Sequence, residues 1–194
     1  MSSPTTDATD RFRETLRALG FDLESDGLRA TPRRWVKAFA EMTRGYEEDP
    51  QAILSTSFEG GGYDQLVLLK DITFASTCEH HLLPFVGHAH VGYVPNERVV
   101  GLSKLARLVD CFARRLQIQE RMTKQIADAI EAVLKPRALG VMVEATHSCM
   151  AIRGVGKPGA VMVTSDLRGL FRNDESGSAA ARAEFFALID GQRR

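Results

Sequence analysis

Two short stretches of the sequence carry side chains that bind metal ions. The first is residues 77–81 (TCEHH), and the second is residues 147–149 (HSC). Cys78 and His81 are close enough in the chain for one tight turn to present both to a single ion. In the second stretch the histidine and the cysteine are two residues apart, which on a β-strand places both side chains on the same face. Thiolate and imidazole together favour zinc over magnesium, calcium or manganese, so the pattern predicts a zinc site.

The spacing leaves two kinds of zinc site open. A closed site with four protein ligands is structural, whereas an open site with three ligands keeps a water whose pKa falls to about 7. The candidate ligands are Cys78, His80, His81, His147 and Cys149. They outnumber four positions, and adjacent histidines do not readily chelate one ion together. A spare imidazole suits proton transfer near neutral pH, which favours a zinc hydrolase that acts on an anionic substrate.

Length and composition indicate one globular domain with a helical extension. The chain has 194 residues, 44% of them hydrophobic and 26% charged, with a formal net charge of zero. This balance gives no basic field for nucleic acid or an anionic membrane, and no apolar run reaches the length of a membrane span. The polar N-terminus is not typical of a signal peptide, and three cysteines favour a reducing compartment. We therefore expect a cytoplasmic protein.

Hydrophobic periodicity predicts an α+β fold with an antiparallel sheet. The predicted elements are helices near 11–20 and 31–42, strands at 66–76 and 85–94, helices from 101 and over 119–134, strands at 139–145 and 160–164, and a last helix over 179–189. Strands 66–76 and 85–94 are expected to pair as antiparallel neighbours, as are the two later strands. The expected organisation is a disordered N-terminus at 1–8, a helical region at 9–60 and a catalytic domain at 61–194.

Four motifs, in this order, resemble the signature of the GTP cyclohydrolase I family. They are residues 76–85 (STCEHHLLPF), 101–107 (GLSKLAR), 115–121 (RLQIQER), and 147–150 (HSCM) followed by 153–155 (RGV). The match covers nearly everything from Gly27 to Ile189. The resemblance implies the tunnelling fold, an antiparallel sheet with helices packed on one side. It also implies a toroidal homodecamer with active sites at the subunit boundaries.

The resemblance further implies a reaction. GTP and water give formate and 7,8-dihydroneopterin triphosphate, the first step of folate or tetrahydropterin synthesis. Cys78, His81 and Cys149 are the implied zinc ligands, and water activated by the zinc would attack C8 of the purine. His147 and His80 are the implied acid/base histidines, the former near N7.

Other roles follow from the same motifs. Ser103 resembles the residue that assists the later rearrangement of the ribose. Glu120 resembles the carboxylate that accepts hydrogen bonds from N1–H and the exocyclic amine of guanine, and adenine would leave it unpaired. The other implied substrate-binding residues are Gln119, which flanks Glu120, and the triphosphate-binding residues Lys104, Arg107, Arg153, Arg34 and Lys37.

Two departures from the family pattern and two alternative functions accompany this interpretation. The segment 176–180 is longer than the usual link before the last helix, and the short N-terminal extension is expected to lack the regulatory peptide of longer members. A related enzyme acting on another purine or pterin would also use Glu120. A non-catalytic zinc-stabilised oligomer would be marked by loss of His80 or His147, and both are present. The downstream pathway, other divalent metals and allosteric control are left open.

Overall fold

The structure, a computed structural model, describes residues 4–173 and 177–191. Its contacts divide the chain into two compact units, Met1–Arg44 and Gly45–Arg194. In chain order the elements are α1 (Pro4–Ala18), α2 (Thr31–Met42), a 3-10 turn (Arg44–Glu47), α3 (Pro50–Leu54), β1 (Ser57–Glu59), β2 (Val67–Cys78), β3 (Pro84–Val94), β4 (Arg98–Val100), α4 (Leu102–Ala113), β5 (Leu116–Gln117), α5 (Gln119–Leu134), β6 (Ala138–His147), α6 (Ser148–Ala151), β7 (Met162–Gly169) and α7 (Ser178–Asp190).

The first unit contains the helices α1 and α2, which pack through aromatic rings. Phe12 stacks on Trp35 with ring centroids 4.2 Å apart, and Trp35 stacks on Phe39 at 4.8 Å. These side chains recur at helical spacing, so each helix presents one apolar stripe to the other. The two predicted helices are confirmed.

The helix α1 begins earlier than the sequence indicated. Residues 4–8, expected to be disordered, lie in its first turns. Asp7 in the first turn complements the helix dipole and pairs with Arg11 one turn later, at 3.0 Å. These local contacts support a helix start that a composition rich in serine and threonine does not suggest. Residues 1–3 lie outside the described part of the chain.

A five-stranded sheet in the order β5-β2-β3-β6-β7 forms the centre of the second unit. The pairs β2–β3, β3–β6 and β6–β7 are antiparallel, and the short β5 joins β2 in parallel. The predicted α+β fold and both predicted strand pairs are therefore confirmed. Because β2 and β6 run in the same direction on either side of β3, their last residues, Cys78 and His147, emerge at the same edge of the sheet.

The two faces of the sheet are covered differently. Alternate residues of β3 and β6, including Phe85, Val91 and Val143, form a buried core with α4 and α5 on one side, where the family resemblance implies that helices pack. On the other face Gly92 and Gly140 lie under Phe185 of α7, and a Cβ on either glycine would come within 2.9 Å of that ring. The last helix therefore covers part of the opposite face, where only glycine leaves room for it.

The segment after Gly45 packs with the second unit. The Gly45 N–H donates to the carbonyl of Arg114 at 2.8 Å, and a Cβ at Gly45 would lie 2.2 Å from the carbonyl oxygen of Cys111. Leu54, at the end of α3, is fully buried in the same core as α4. The contacts thus place residues 45–60 with the sheet, whereas the predicted domain boundary lies between residues 60 and 61.

Arg168 ties β7 to α5, and its loss should destabilise the second unit. Its guanidinium donates to Asp166 at 2.8 Å, Asp128 at 2.6 Å and Glu131 at 2.5 Å, and the side chain is 15% exposed. We expect Arg168→Met to lower the free energy of unfolding by about 2 kcal/mol, because three carboxylates lose their shared cation. Urea denaturation of both proteins measures the difference.

A matched control for this prediction lies on the same helix. Lys124 pairs with Asp128 at 2.8 Å, but both side chains are largely exposed to solvent. We expect Lys124→Met to change the free energy of unfolding by less than about 0.5 kcal/mol, as is usual for exposed ion pairs. Equal urea midpoints for the wild type and Arg168→Met would contradict the role given to the buried cation.

Candidate functional site

Three of the predicted ligands meet at one edge of the sheet. The ligand atoms of Cys78, His81 and Cys149 all lie within 4.8 Å of one another. Two ligand atoms of one tetrahedral zinc ion, at the usual distances of 2.0–2.3 Å, lie about 3.3–3.8 Å apart. The group therefore needs a contraction of roughly 1 Å to hold an ion, and its two sulfurs and one imidazole are a donor set that suits zinc.

A tight turn presents the first two ligands. Cys78 ends β2 and is buried, and the chain then reverses so that β3 can begin at Pro84. The Cys78 N–H donates to the carbonyl of Leu83 at 2.9 Å, and the Leu82 N–H donates to the carbonyl of Cys78 at 2.8 Å. Leu82 has a φ of 55°, a left-handed conformation that closes the turn. His81 lies within this turn and is exposed.

Cys149 reaches the group from a short helix rather than from a strand. β6 ends at His147, and Cys149 lies in α6, where the Ile152 N–H donates to the carbonyl of Ser148 at 3.1 Å. The prediction that His147 and Cys149 share one face of a strand is therefore wrong. The helical turn carries Cys149 to the other two ligands, while His147 keeps its place at the end of the sheet. The ligand group thus contains three protein side chains, as an open site requires.

The ring of His147 is held in one orientation. It stacks on Phe85 with centroids 4.6 Å apart and planes 3° apart, and its Nε2 lies 2.9 Å from Oε1 of Gln119. The amide nitrogen of Gln119 donates to the carbonyls of Val143 and Met162, both at 3.0 Å. Because the amide nitrogen faces those carbonyls, its oxygen faces the imidazole, so Nε2 of His147 carries the hydrogen. In the neutral ring, Nδ1 is then the nitrogen with a lone pair.

Burial changes the acidity of the side chains near the ligand group. Burial lowers the pKa of His147, and the negative charge of Glu120 opposes part of that effect. Burial also raises the pKa of the Cys149 thiol, and the neighbouring Cys78 raises it further. Two adjacent thiolates repel each other unless a cation lies between them. Metal binding should therefore release protons from this site.

Glu120 and Gln119 stand next to each other in the first turn of α5 but in different surroundings. Glu120 is exposed and, with Thr123, Thr164 and Asp166, lines a cavity of about 220 Å³. Gln119 is 1% exposed, and both its amide nitrogen and its amide oxygen are engaged within the chain. The sequence motif singled out both residues, but it did not indicate that Gln119 orients His147.

The helix α4 has its last turn beside the ligand group and its first turn at the far end of the sheet. The Phe112 carbonyl accepts a hydrogen bond from Gln117, whose backbone pairs with Cys78. Val100, just before the helix, donates to the hydroxyl of Tyr93 at the other end of β3. Twelve helical residues span about 18 Å. Within one copy of the chain, three predicted site residues in the first two turns of α4 therefore lie away from the ligand group: Ser103, Lys104 and Arg107.

The remaining predicted residues are exposed. His80 follows Glu79 in the metal turn, with its Nδ1 3.9 Å from the sulfur of Cys78. Arg153 lies in the loop after α6, four residues beyond Cys149. Arg34 and Lys37 lie on α2 in the first unit.

Fold and site together define a class of protein. It is an α+β protein whose antiparallel sheet carries, at one edge, two thiols and an imidazole arranged to bind a metal ion. A second imidazole, that of His147, is held in one orientation two residues before the ligand Cys149. A model of the family described as GTP cyclohydrolase I matches residues 8–190. The chain belongs to the GTP cyclohydrolase I family.

Individual relatives agree with this assignment. A protein of Wolinella succinogenes named GTP cyclohydrolase 1 is 52% identical over 92% of this chain and 95% of its own length. A protein of Thermobifida fusca with the same name is 54% identical over 93% of this chain and 86% of its own. Among solved structures, an archaeosine synthase QueF-like protein in the apo form covers 54% of this chain and 94% of its own, with 19% identity and a TM-score of 0.46.

The family model and the two relatives named GTP cyclohydrolase 1 confirm the family predicted from the four motifs, and with it the prediction that the protein is an enzyme of this class. In the described residues, no helix combines the length and the apolar character that crossing a membrane requires.

Proposed function

We propose that the protein is a zinc-dependent GTP cyclohydrolase I that opens the imidazole ring of GTP. The products are formate and 7,8-dihydroneopterin triphosphate. The observation that carries this proposal is the ligand group of Cys78, His81 and Cys149, which leaves the oriented imidazole of His147 outside the metal shell. A closed structural site with these two cysteines would take a second imidazole as its fourth ligand.

Zinc is the ion we propose for this group. Two sulfurs and an imidazole select a soft or borderline ion over the hard cations. When bound with one open position, zinc lowers the pKa of a water molecule there to about 7 and so supplies a nucleophile at neutral pH. The three cysteines form no disulfide. Because thiolate ligands must stay reduced, we place the enzyme in the cytoplasm.

His147 and His80 are the proposed proton carriers. Nε2–H of His147 is donated to Gln119, so a proton passed to N7 of the purine must leave from Nδ1. Protonation of N7 makes C8 electrophilic and open to attack by water. We assign His80, which is exposed in the metal turn, to a proton transfer in the second hydrolysis, which releases formate. We assign Ser103 to the later rearrangement of the ribose.

Glu120 is the proposed guanine-recognition residue, and its removal should weaken GTP binding strongly. We expect Glu120→Ala to raise the Kd for GTP by about 100-fold, because N1–H and the exocyclic amine lose a charged acceptor worth roughly 1.5–3 kcal/mol. Equilibrium binding on an inactive His147→Ala background measures the affinity without turnover. Glu144→Ala, in the middle of β6, is a control that should leave the affinity unchanged. GTP binding to Glu120→Ala with wild-type affinity would contradict the assignment.

The triphosphate is assigned to a set of basic residues from three parts of the chain. Arg153 lies four residues after the ligand Cys149, and the others lie on α4 and α2. A triphosphate needs several cations because no single side chain neutralises it. The proposed set is Lys104, Arg107, Arg153, Arg34 and Lys37.

We propose that the enzyme works as a homodecamer with its sites at the subunit boundaries. The position of α4 supports this proposal. Its first two turns carry Ser103 and Lys104, and they lie at the end of the sheet away from Cys78. These residues can act at a ligand group only if that group belongs to another copy of the chain.

Mixing two inactive variants tests the shared site. Lys104→Ala and His147→Ala should each be nearly inactive alone. When they are unfolded and reassembled together, about a quarter of the sites should contain an intact Lys104 and an intact His147 from different chains, so activity should return to that extent. The control mixes His147→Ala with Cys149→Ala, whose defects lie on the same side of the boundary, and should stay inactive. Failure of the first mixture to recover would contradict the shared site.

The reaction itself is tested with the wild-type protein. Incubation with GTP should release formate together with a pterin that becomes fluorescent after oxidation. Dipicolinate should stop both products, and added Zn²⁺ should restore them. Guanosine in place of GTP should react far more slowly, because it lacks the triphosphate. Absence of formate from metal-loaded protein would overturn the proposed function.

A further inference from the structure

The metal turn is attached to α5 by an ion pair that the reaction scheme does not use. The guanidinium of Arg121 donates to the carboxylate of Glu79, the residue between Cys78 and His80. The side chains are 39% and 33% exposed. An isolated pair with this exposure contributes little to stability, so its meaning depends on the contacts around it.

Arg121 makes further contacts that place its guanidinium. Its Nε donates to Oε1 of Gln117 at 3.1 Å, and a terminal nitrogen donates to the carbonyl of Leu116 at 2.9 Å. The Glu79 N–H in turn donates to the carbonyl of Gln117 at 3.0 Å. Glu79 is therefore held through its N–H by Gln117 of β5 and through its carboxylate by Arg121 of α5, while Leu116 and Gln117 place the guanidinium of Arg121. The guanidinium is a planar fork with several donors, which a lysine cannot reproduce.

The ion pair lies within the segment that presents the metal ligands. Glu79, bonded by Arg121 and by the carbonyl of Gln117, stands between two positions of the turn and fixes the backbone there. That turn supplies Cys78 and His81, two of the three side chains in the ligand group.

We infer that Arg121 is a positioning residue for the metal centre: through Glu79 it holds the turn that carries Cys78 and His81 against the first turn of α5. Gln119, two residues earlier on the same helix, holds His147. The start of α5 is thus attached to both chain segments that reach the ligand group, and it carries Glu120 as well. The inference rests on the proposed function only where it concerns turnover, because the attachment of the turn to α5 is independent of the substrate.

Zinc affinity of the full-length protein tests the inference. Competition between the protein and a chromophoric chelator gives the Kd for Zn²⁺, and the absorption of the Co²⁺-substituted protein reports the geometry of the thiolate ligands. We expect Arg121→Ala to raise the Kd for Zn²⁺ about tenfold and to change the Co²⁺ thiolate band, because residues that orient metal ligands commonly contribute 10–100-fold to affinity. Arg121→Lys should recover only part of the loss.

Two further variants complete the test. Glu79→Gln removes the negative charge of the other partner. The double variant with Arg121→Ala should have a Kd for Zn²⁺ no higher than that of the weaker-binding single variant, as expected for partners in one interaction. Arg98→Ala is the matched control, since that guanidinium also bonds a side chain and a backbone oxygen, both of Ser57, at 2.8 Å, far in the chain from any ligand. It should bind Zn²⁺ like the wild type. Should Arg121→Ala fail to fold, the Kd for Zn²⁺ of Glu79→Gln tests the positioning role by itself.

The possible results separate the inference from the proposed function. Wild-type Zn²⁺ affinity and an unchanged Co²⁺ spectrum in Arg121→Ala and Glu79→Gln would overturn the positioning role, whatever the activity. Weakened Zn²⁺ binding in the two variants would support the positioning role. If the zinc-loaded wild type also released no formate from GTP, the proposed function would be refuted while the positioning role stood. If the positioning role and the proposed function both hold, Arg121→Ala should lower kcat about tenfold with little change in KM, because Arg121 is not among the proposed substrate-binding residues.

Discussion

His147→Ala should lower the rate of formate release by about 10³-fold while zinc remains bound. General acid–base catalysis by a positioned side chain contributes 10²- to 10⁴-fold, and this ring is fixed by Phe85 on one face and by Gln119 at Nε2. It lies outside the ligand group, so its removal takes no donor from the metal. The measurements are formate release in steady state and zinc content by atomic absorption.

A second histidine provides the control for this experiment. His88 lies in the middle of β3, is exposed, and belongs neither to the ligand group nor to the proposed acid/base pair. His88→Ala should release formate at the wild-type rate. If His147→Ala also turned over at that rate, the proton-transfer role would have to be given up. Loss of zinc from His147→Ala would instead mean that its imidazole is a fourth ligand.

Cys149→Ala should lose both zinc and activity. Removing one of three protein ligands takes a large share of a binding free energy that is roughly 10–16 kcal/mol for zinc sites, so we expect the Kd for Zn²⁺ to rise on the order of 10³-fold. Formate release should then fall to background at ordinary zinc concentrations. Chelator competition and the formate assay on the same preparation measure the two effects.

The third cysteine of the chain is a natural control. Cys111 is buried in α4, where its sulfur accepts a hydrogen bond from the guanidinium of Arg115 at 3.2 Å, and it is not one of the residues of the ligand group. Cys111→Ala should retain zinc and activity even if it unfolds at a lower temperature. Retention of one tightly bound zinc per chain by Cys149→Ala would contradict the ligand assignment.

The parts of this molecule that sequence predicts well are those decided by local chemistry. Residues 66–76 contain short apolar runs and residues 85–94 alternate loosely between apolar and polar side chains, and the two strands pair as expected. Ligand type marked five candidate ligands, the family motifs selected Cys78, His81 and Cys149 among them, and these three meet in the structure. Short-range patterns were sufficient for the strands because side-chain type largely determines burial.

Contacts between distant segments could not be predicted in the same way. Cys149 lies in a helical turn because four residues after β6 form α6, and two-residue spacing cannot distinguish that turn from a longer strand. The position of the first turn of α4, far from the ligand group, depends on the path of the whole chain. Gln119 was predicted to bind substrate beside Glu120 and Arg121 was noted only as part of a motif, whereas their partners in the structure lie 28 and 42 residues away.

The backbone pairing of Phe85 with His147 has a consequence for folding of the enzyme. If β3 and β6 paired with a shift of a single residue, the imidazole would turn to the opposite side of the sheet, and Cys149 would move by about 3.3 Å. Such a chain could be compact and rich in β-structure, yet its ligands would not come together to bind the zinc ion. Zinc retained after refolding would then count the correctly aligned molecules in a preparation, which circular dichroism cannot do.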